Sequence, residues 1–232
     1  ESKFDSVINI CLLDSDILIN PFSPNIFDGY KEDSVALISK RKNLPFPYHD
    51  CMKRISFFRH KYYSERYPLD SAIFISTEDL YLYHDLAPQA DEACTGVMLF
   101  NVKNHASLTK KWFYKYESDV DSITNGGEQT HVNYEIQSNC KVQWLDYKFQ
   151  AIWVYEMAWK YPFLYENSDK NIIKNCIESS LLSNYFLHFA GSWHESQMWK
   201  TSNVFSDYKF LEEYSQYLDS TVSGKPLGMI KP

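Results

Sequence analysis

The sequence has no closely spaced pair of cysteines, and its five cysteines are scattered from Cys11 to Cys176. This pattern argues against a zinc cluster and against a disulfide scaffold, and it favours a reducing compartment. No run of about 18 apolar residues occurs, so we expect no membrane span in this chain. The sequence also contains no Asn-x-Ser/Thr site, which removes one common sign of a glycosylated secreted protein.

Basic residues are in the minority, with 23 Lys and Arg against 30 Asp and Glu and a formal net charge of −7. This balance argues against a nucleic-acid groove, which needs a basic surface. It leaves phosphate binding open, because a divalent cation can supply positive charge locally. Glycine and proline are few, at 7 and 9 residues. We therefore predict one domain over residues 1–232, without linkers or repeats.

An acidic pair interrupts the first apolar stretch of the chain. Val7 to Leu13 is predicted to be a buried strand, and Asp14 and Asp16 follow directly before apolar residues resume at Ile17. If the strand continued, residues at i and i+2 would point to the same side and present both carboxylates to one point. Because two like charges are costly in a dry core, the pattern predicts that they bind Mg²⁺ or Mn²⁺. The alternative is a turn cap and a solvated acid.

Apolar periodicity predicts a mixture of strands and helices, and thus an α/β or α+β architecture. Further strands are predicted at Ser34–Ser39, Cys94–Asn101, 142–145 and, ending in a turn, 185–191. Helices are predicted at 51–67, 105–118, 128–136, 172–182 and 204–217. The aromatic residues of 144–159 ("WLDYKFQAIWVYEMAW") are predicted either to stack on a sugar or to pack in the core.

Four segments in order give a resemblance to a known family. They are "LLDSDILINPFSPNIFD", "CTGVMLFN", "GGEQTHVN" and "HFAG". Their order and spacing resemble the GT-A-fold glycosyltransferases, and most closely the retaining family 8 group of glycogenin and lipopolysaccharide galactosyltransferases. The resemblance implies a GT-A-like mixed sheet flanked by helices, a Rossmann-like fold that binds a nucleotide sugar. It also implies transfer of a sugar, from a UDP-sugar in most such families, to a glycan or glycoprotein acceptor.

The resemblance also implies roles for particular residues. Asp14, Asp16 and His188 would be the metal ligands that hold Mn²⁺, or Mg²⁺, against the donor diphosphate. Glu128 and Gln129 would lie at the reacting carbon of the sugar, where Glu128 is either a general base or a sugar-orienting group. The alternative for Glu128 is an acid in the first turn of a helix, where it interacts favourably with the helix dipole and has no role in the reaction. The remaining donor-binding set would be Ser15, Thr95, Gly96, Asn133, Gly191 and His194.

Two positions differ from the family pattern, and fewer residues precede Asp14 than the family has before its corresponding acid. His194 stands where the family has its phosphate-binding lysine, with Lys200 as a possible substitute, and Glu128 stands where the family has aspartate. Only 13 residues precede Asp14, whereas three βα units, about 90 residues, precede this position in a GT-A domain. We therefore expect the chain to be the carboxyl-terminal part of a longer protein. The expected location is cytoplasmic, or the Golgi lumen if an upstream anchor exists.

Two other functions fit parts of the sequence. A phosphatase of the haloacid dehalogenase type also begins with an apolar strand that ends in Asp-x-Asp, and Asp14 would then be its nucleophile. However, such an enzyme needs a later acidic pair on another strand, and no "GDxxxD" or "DD" follows an apolar strand in this sequence. A non-catalytic carbohydrate-binding module is the second alternative, and the 17% aromatic content suits it.

Overall fold

A computed structural model describes residues 8–63, 73–116, 128–167, 169–191 and 193–202. Within these ranges the chain is a mixed α/β structure in which two mixed sheets are flanked by helices. The strands are β1 (Asn9–Leu13), β2 (Ile17–Ile19), β3 (Ser34–Ser39), β4 (Ala93–Asn101), β5 (Lys141–Trp144), β6 (Ala151–Ile152) and β7 (Phe186–His188). The helices are α1 (Tyr48–Tyr63), α2 (Thr77–Tyr83), α3 (Val102–Tyr116), α4 (Gln129–Asn139), α5 (Trp153–Lys160), α6 (Lys170–Ser183) and α7 (Met198–Ser202).

The first sheet has the strand order β1-β4-β3-β5, and the second has the order β2-β7-β6. In the first sheet, β4 runs antiparallel to both β1 and β3, whereas β3 and β5 are parallel. In the second sheet, β2 is antiparallel to β7, and β6 is parallel to β7. Since β1 belongs to one sheet and β2 to the other, the short connection between them joins the two sheets.

Strand β3 lies inside the first sheet, and its predicted bounds are confirmed. Its side chains alternate between two buried layers, as the period of a strand requires. Val35 and Leu37 pack in a cluster with Ile136 of α4, whereas Ala36 and Ile38 pack in another with Phe186. The sheet is therefore covered on both faces, which explains why this strand consists almost wholly of apolar residues.

Strand β1 differs from its prediction as a buried strand. It begins at Asn9, and its last two residues, Leu12 and Leu13, are 46% and 41% exposed. Among the described residues β1 pairs with β4 alone and forms an edge of the sheet, so its outer side lacks a neighbour. The apolar composition predicted the strand correctly, but its burial depended on neighbours that composition does not specify.

Most predicted helices occur, with shifted ends. The predicted helix 105–118 begins earlier, at Val102, because Asn101 caps it: its Oδ1 accepts from the backbone N–H of Asn104 at 3.0 Å. The helix predicted from residue 172 also begins earlier, at Lys170, because the Asp169 side chain accepts from two backbone N–H groups of its first turn. The helix predicted over 204–217 lies outside the described residues.

The aromatic segment 144–159 packs in the core, which decides between its two predicted roles. Tyr147, Trp153 and Tyr155 are at most 3% exposed and belong to the largest apolar cluster, together with residues of α1 and α6. Helix α5 was not predicted from the sequence, because its aromatic and branched residues resemble those of a strand. Helix α2 was also missed. No helix in the described part of the chain combines the length and apolar character needed to cross a membrane.

A buried acid joins α5 to α6. Glu156 is fully buried, and its Oε2 accepts hydrogen bonds from Ser180 Oγ at 2.8 Å and from Asn184 Nδ2 at 3.3 Å. Lys160, one turn later on α5, forms an ion pair with the same oxygen. Because a buried carboxylate is tolerated only when it is paired and hydrogen-bonded, these contacts explain an acid in an apolar segment.

We predict that Glu156→Ala lowers the free energy of unfolding by about 3–5 kcal/mol, since it leaves the buried partners of the carboxylate unpaired. Urea unfolding followed by tryptophan fluorescence measures this change. Glu166→Ala is the control, because the Glu166 side chain is 61% exposed and pairs with Lys61 at 3.3 Å. The control should lose less than about 1 kcal/mol. Equal losses in the two variants would contradict a stabilising role for Glu156.

Candidate metal site

The acidic pair lies where the chain passes from the first sheet to the second. The Asp14 backbone N–H donates to the Gly96 carbonyl of β4 at 2.9 Å, and the Phe189 N–H donates to the Asp16 carbonyl at 3.0 Å. The two acids are thus held by different sheets, and Ser15 is exposed at the turn between them. The expectation of a continuous strand through both acids is therefore wrong, because the change of sheet requires a turn here.

His188 ends β7 and faces both acids. Its Nε2 lies 3.5 Å from Asp14 Oδ2 and 3.2 Å from Asp16 Oδ1, and the three atoms lie within 4.8 Å of one another. The His188 side chain is 2% exposed, whereas those of Asp14 and Asp16 are 56% and 28% exposed. The imidazole therefore lies at the buried bottom of the cluster, and the two carboxylates lie at its solvent-exposed edge, which we call the rim.

This donor set suits a small divalent cation. At metal–ligand distances of about 2.1–2.2 Å, neighbouring ligands of an octahedral ion are about 3 Å apart, close to the two separations between His188 Nε2 and the carboxylate oxygens. Two carboxylates with one imidazole favour Mn²⁺ over Mg²⁺, because nitrogen is a poorer ligand for the harder ion. Because Asp14 is more than half exposed, the solvent side of such an ion remains open to water or to phosphate oxygens.

The three groups perturb each other's protonation. The hydrogen bond from His188 lowers the pKa of the Asp14 carboxyl, although partial burial opposes the shift. For His188, burial by itself lowers the pKa, but Cys94 and the carboxylates of Asp14 and Asp16 raise it well above its usual value. A cation binds His188 only through a free Nε2 lone pair, so Mn²⁺ affinity should fall as the pH is lowered and the ring takes up a proton.

Gly96, which the family resemblance places in the sugar or acceptor pocket, makes room for His188. A Cβ atom on Gly96 would lie 2.3 Å from His188 Cε1, 2.7 Å from His188 Nδ1 and 2.8 Å from Gln150 Nε2. Every L-residue with a side chain would therefore collide with the imidazole or with the amide behind it. Thr95, its predicted partner, is half-buried next to it on β4.

The residues predicted at the start of α4 make no described contact with Asp14 or Asp16. Asn133 is fully buried: its Oδ1 accepts from Ala93 N at 2.8 Å, and its Nδ2 donates to Ala93 O at 2.9 Å. Asn133 thus holds α4 against the start of β4. Ala93 is three residues before Gly96, a distance of about 10 Å along a strand. Its structure supports an anchoring role and shows no free group for a ligand. Glu128 is exposed at the N-cap of α4, where its side chain makes no capping bond.

Gln129 contacts a charged cluster that the sequence analysis missed. Its Nε2 donates to Glu92 Oε1 at 2.9 Å, and Glu92 is fully buried between Lys40 and Arg41. The available signal was the run of three cations after β3, Lys40 to Lys42, and the two acids before β4, Asp91 and Glu92. The pairing of Ser39 with Ala93 brings these strand ends together. The cluster ties β3, β4 and α4 at one end of the first sheet.

The loop after His188 contains the last two predicted residues. Gly191 has a φ of +91°, a left-handed conformation that favours glycine. The Nδ1 of His194 lies 3.2 Å from the Tyr63 hydroxyl at the end of α1. Beside it, the fully buried Arg59 donates through Nε to Glu195 at 3.0 Å and stacks on the Trp193 ring. His194 therefore contacts α1 and makes no described contact with the acidic pair.

Comparisons with models of known protein families, with curated proteins and with solved structures found no match. A function can therefore be inferred only from the geometry of Asp14, Asp16 and His188, which we call the metal-site cluster. Sequence reasoning selected these three residues. It gave no role to Cys94 and Gln150, which pack against the far side of the His188 ring: Cys94 begins the segment "CTGVMLFN" but is not one of its implied binding residues, and Gln150 lies outside the four segments.

We predict that Gly96→Ala weakens Mn²⁺ binding and lowers the free energy of unfolding by about 1–3 kcal/mol, because the new methyl group displaces the imidazole. Calorimetric titration with Mn²⁺ and urea unfolding measure the two effects. Thr95→Ala, one residue earlier, removes atoms without a collision and serves as the control. If Gly96→Ala binds Mn²⁺ as tightly as the original protein, the placement of His188 as a ligand is wrong.

For Asn133→Ala we expect a loss of about 2–3 kcal/mol of unfolding free energy, because the buried N–H and C=O of Ala93 lose their partner. Asn171→Ala, at an exposed position of α6, should change stability by less than about 0.5 kcal/mol. Urea unfolding of both variants makes the comparison. A stable Asn133→Ala protein that has lost only nucleotide-sugar binding would favour the ligand role that the family resemblance implies.

Proposed function

We propose that this chain is a metal-dependent glycosyltransferase of GT-A type, which moves a sugar from a nucleoside-diphosphate sugar to a hydroxyl group of a glycan or protein acceptor. The donor we expect is a UDP-sugar, and the expected stereochemistry is retention. One observation carries the proposal: two acids near the start of the chain meet a histidine near its described end, in a geometry suited to a divalent cation. The ordered resemblance of four sequence segments supports it.

The reaction needs charge stabilisation at one place. A sugar leaves a diphosphate through a transition state in which negative charge grows on the phosphate oxygens, and a bound Mn²⁺ supplies Lewis-acid stabilisation of that charge. Asp14 and Asp16 bind the cation from the rim, and His188 binds it from below. The burial of His188 keeps its Nε2 in one position, so the cluster need not reorganise when charge develops.

Sugar recognition in this proposal is assigned to the amino-terminal end of α4. Glu128 is exposed, and Gln129 is half-buried beside the Glu92 cluster. Glu128 is available to orient a sugar hydroxyl or to accept a proton. Gln129 keeps its amide oxygen for a hydroxyl group, since its Nε2 donates to Glu92.

The structure gives less support to the two alternatives. A haloacid dehalogenase phosphatase requires its first aspartate at the end of a strand within a parallel sheet, whereas β1 runs antiparallel to its neighbour β4. A carbohydrate-binding module would present an exposed aromatic surface. Tyr147, Trp153 and Tyr155 are buried and cannot stack on a sugar, whereas Phe57, Tyr83 and Phe113 are exposed.

The test is a panel of nucleotide sugars incubated with the protein, with release of free nucleotide as the readout. We expect release from one donor in Mn²⁺, its loss after chelation and its return when Mn²⁺ is added. Asp14→Asn and Asp16→Asn should each slow this release at least about 100-fold, because each removes a ligand charge from the cation. Asp28→Asn, an exposed acid of the same segment, is the matched control and should keep its rate.

Other outcomes would replace the proposal. Phosphate release from a phosphate ester, with a trapped phosphoaspartate at Asp14, would show a phosphatase. Binding of glycans without turnover of any donor, unchanged in Asp14→Asn, would show a binding module. Equal rates in Asp14→Asn and in Asp28→Asn would remove the metal-site cluster from the reaction.

A further inference from the structure

A buried glutamine lies directly behind the proposed metal ligand. Gln150 is 1% exposed, and its Nε2 is 3.0 Å from the Nδ1 of His188, the ring nitrogen that faces away from the acids. Its position is fixed by the second sheet, because the next residue, Ala151, begins β6 and pairs with Leu187 of β7. The contact is therefore built into the same strand pairing that places His188.

Metal binding decides which ring nitrogen carries the proton. If Nε2 of His188 gives its lone pair to a cation, the ring proton must be on Nδ1, and Nδ1 becomes a hydrogen-bond donor. Ligating histidines almost always donate this second N–H to an oxygen, which fixes the ring and makes the ligand more basic. An amide N–H pointing at Nδ1 suits only the neutral tautomer that has its proton on Nε2.

The amide of Gln150 can satisfy both states. Its Oε1 is buried and makes no hydrogen bond, so no contact of that oxygen holds the amide in one orientation. The two ends of an amide have nearly the same shape, and a half-turn about the Cγ–Cδ bond brings Oε1 to Nδ1 without new packing. With Nδ1 protonated, this orientation replaces two opposed N–H groups with one hydrogen bond.

We infer that Gln150 is a positioning residue of the metal site: its Oε1 accepts the Nδ1 proton of His188 and thereby directs the Nε2 lone pair toward the cation. The inference rests on the proposed metal site and adds to it the residue that sets the histidine tautomer. Cys94 is the competing partner, since its Sγ lies 3.5 Å from the same Nδ1. A thiol is a weak acceptor, so the amide oxygen is the stronger candidate.

The experiment measures Mn²⁺ affinity by calorimetric titration of the whole chain, without any sugar donor. Gln150→Glu presents only acceptor oxygens and should bind Mn²⁺ at least as tightly as the original protein. Gln150→Met has a similar volume but makes no comparable hydrogen bond, and it should bind about 10–100-fold more weakly. Thermal unfolding in a chelator, run on all variants, separates loss of the metal from loss of the fold.

A role in packing alone predicts the opposite order. Methionine would then be tolerated at this buried position, whereas a buried glutamate would lower both stability and Mn²⁺ affinity. Cys94→Ala should bind Mn²⁺ within about twofold of the original protein. The inference is overturned if Gln150→Met keeps full affinity, if Gln150→Glu binds more weakly than Gln150→Met, or if Cys94→Ala alone loses the metal.

The same data separate this inference from the proposed function. If the original protein binds no Mn²⁺, the metal site itself is wrong, and the inference fails with it. If the original protein and Gln150→Met bind Mn²⁺ equally, only the role of Gln150 is wrong, and the glycosyltransferase proposal stands. If Mn²⁺ binds as expected but no nucleotide sugar is turned over, the positioning role stands while the proposed reaction fails.

Discussion

The pairing of β2 with β7 is the contact on which the site depends. Ile17 lies opposite His188 in this pairing, so the turn of Asp14 to Asp16 is placed against an imidazole that is 172 residues further along the chain than Asp16. Each strand has only three residues, and the buried side chain of Asn20 reinforces the pair by donating to the carbonyls of Leu181 and Asn184. The closure of such a long loop costs entropy, and these contacts offset that cost.

The residues packed around His188 explain how a polar ring is stable in the buried interior. Gly96 leaves the space, Gln150 and Cys94 face Nδ1, and the carboxylates face Nε2. A ring with partners at both nitrogens cannot rotate without losing hydrogen bonds that are expensive to leave unmade in the interior. The position of the imidazole is thus determined by the protein, and the exposed rim of the cluster is the part that is free to exchange ligands.

Four of the residues that the family resemblance assigned to the donor divide into two groups. Asn133 is committed to the backbone of Ala93, and Gly96 is committed to the imidazole. Glu128 and Gln129 keep polar atoms at a partly exposed helix end, above the buried Glu92 cluster. The surroundings of Asn133, Gly96 and Gln129 could not be inferred from a motif, because the groups that contact them are distant in the sequence.

The sequence by itself determined five of the seven described strands, most of the described helices and the identity of the three candidate ligands. Composition and period are local properties, and Ser34–Ser39 could therefore be predicted to the residue. Only the tertiary structure decided that β1 is an edge strand, that the two acids lie in a turn between sheets and that Gln150 stands behind His188. These features follow from strand pairing between distant segments, and the side chains that meet there are neighbours in space alone.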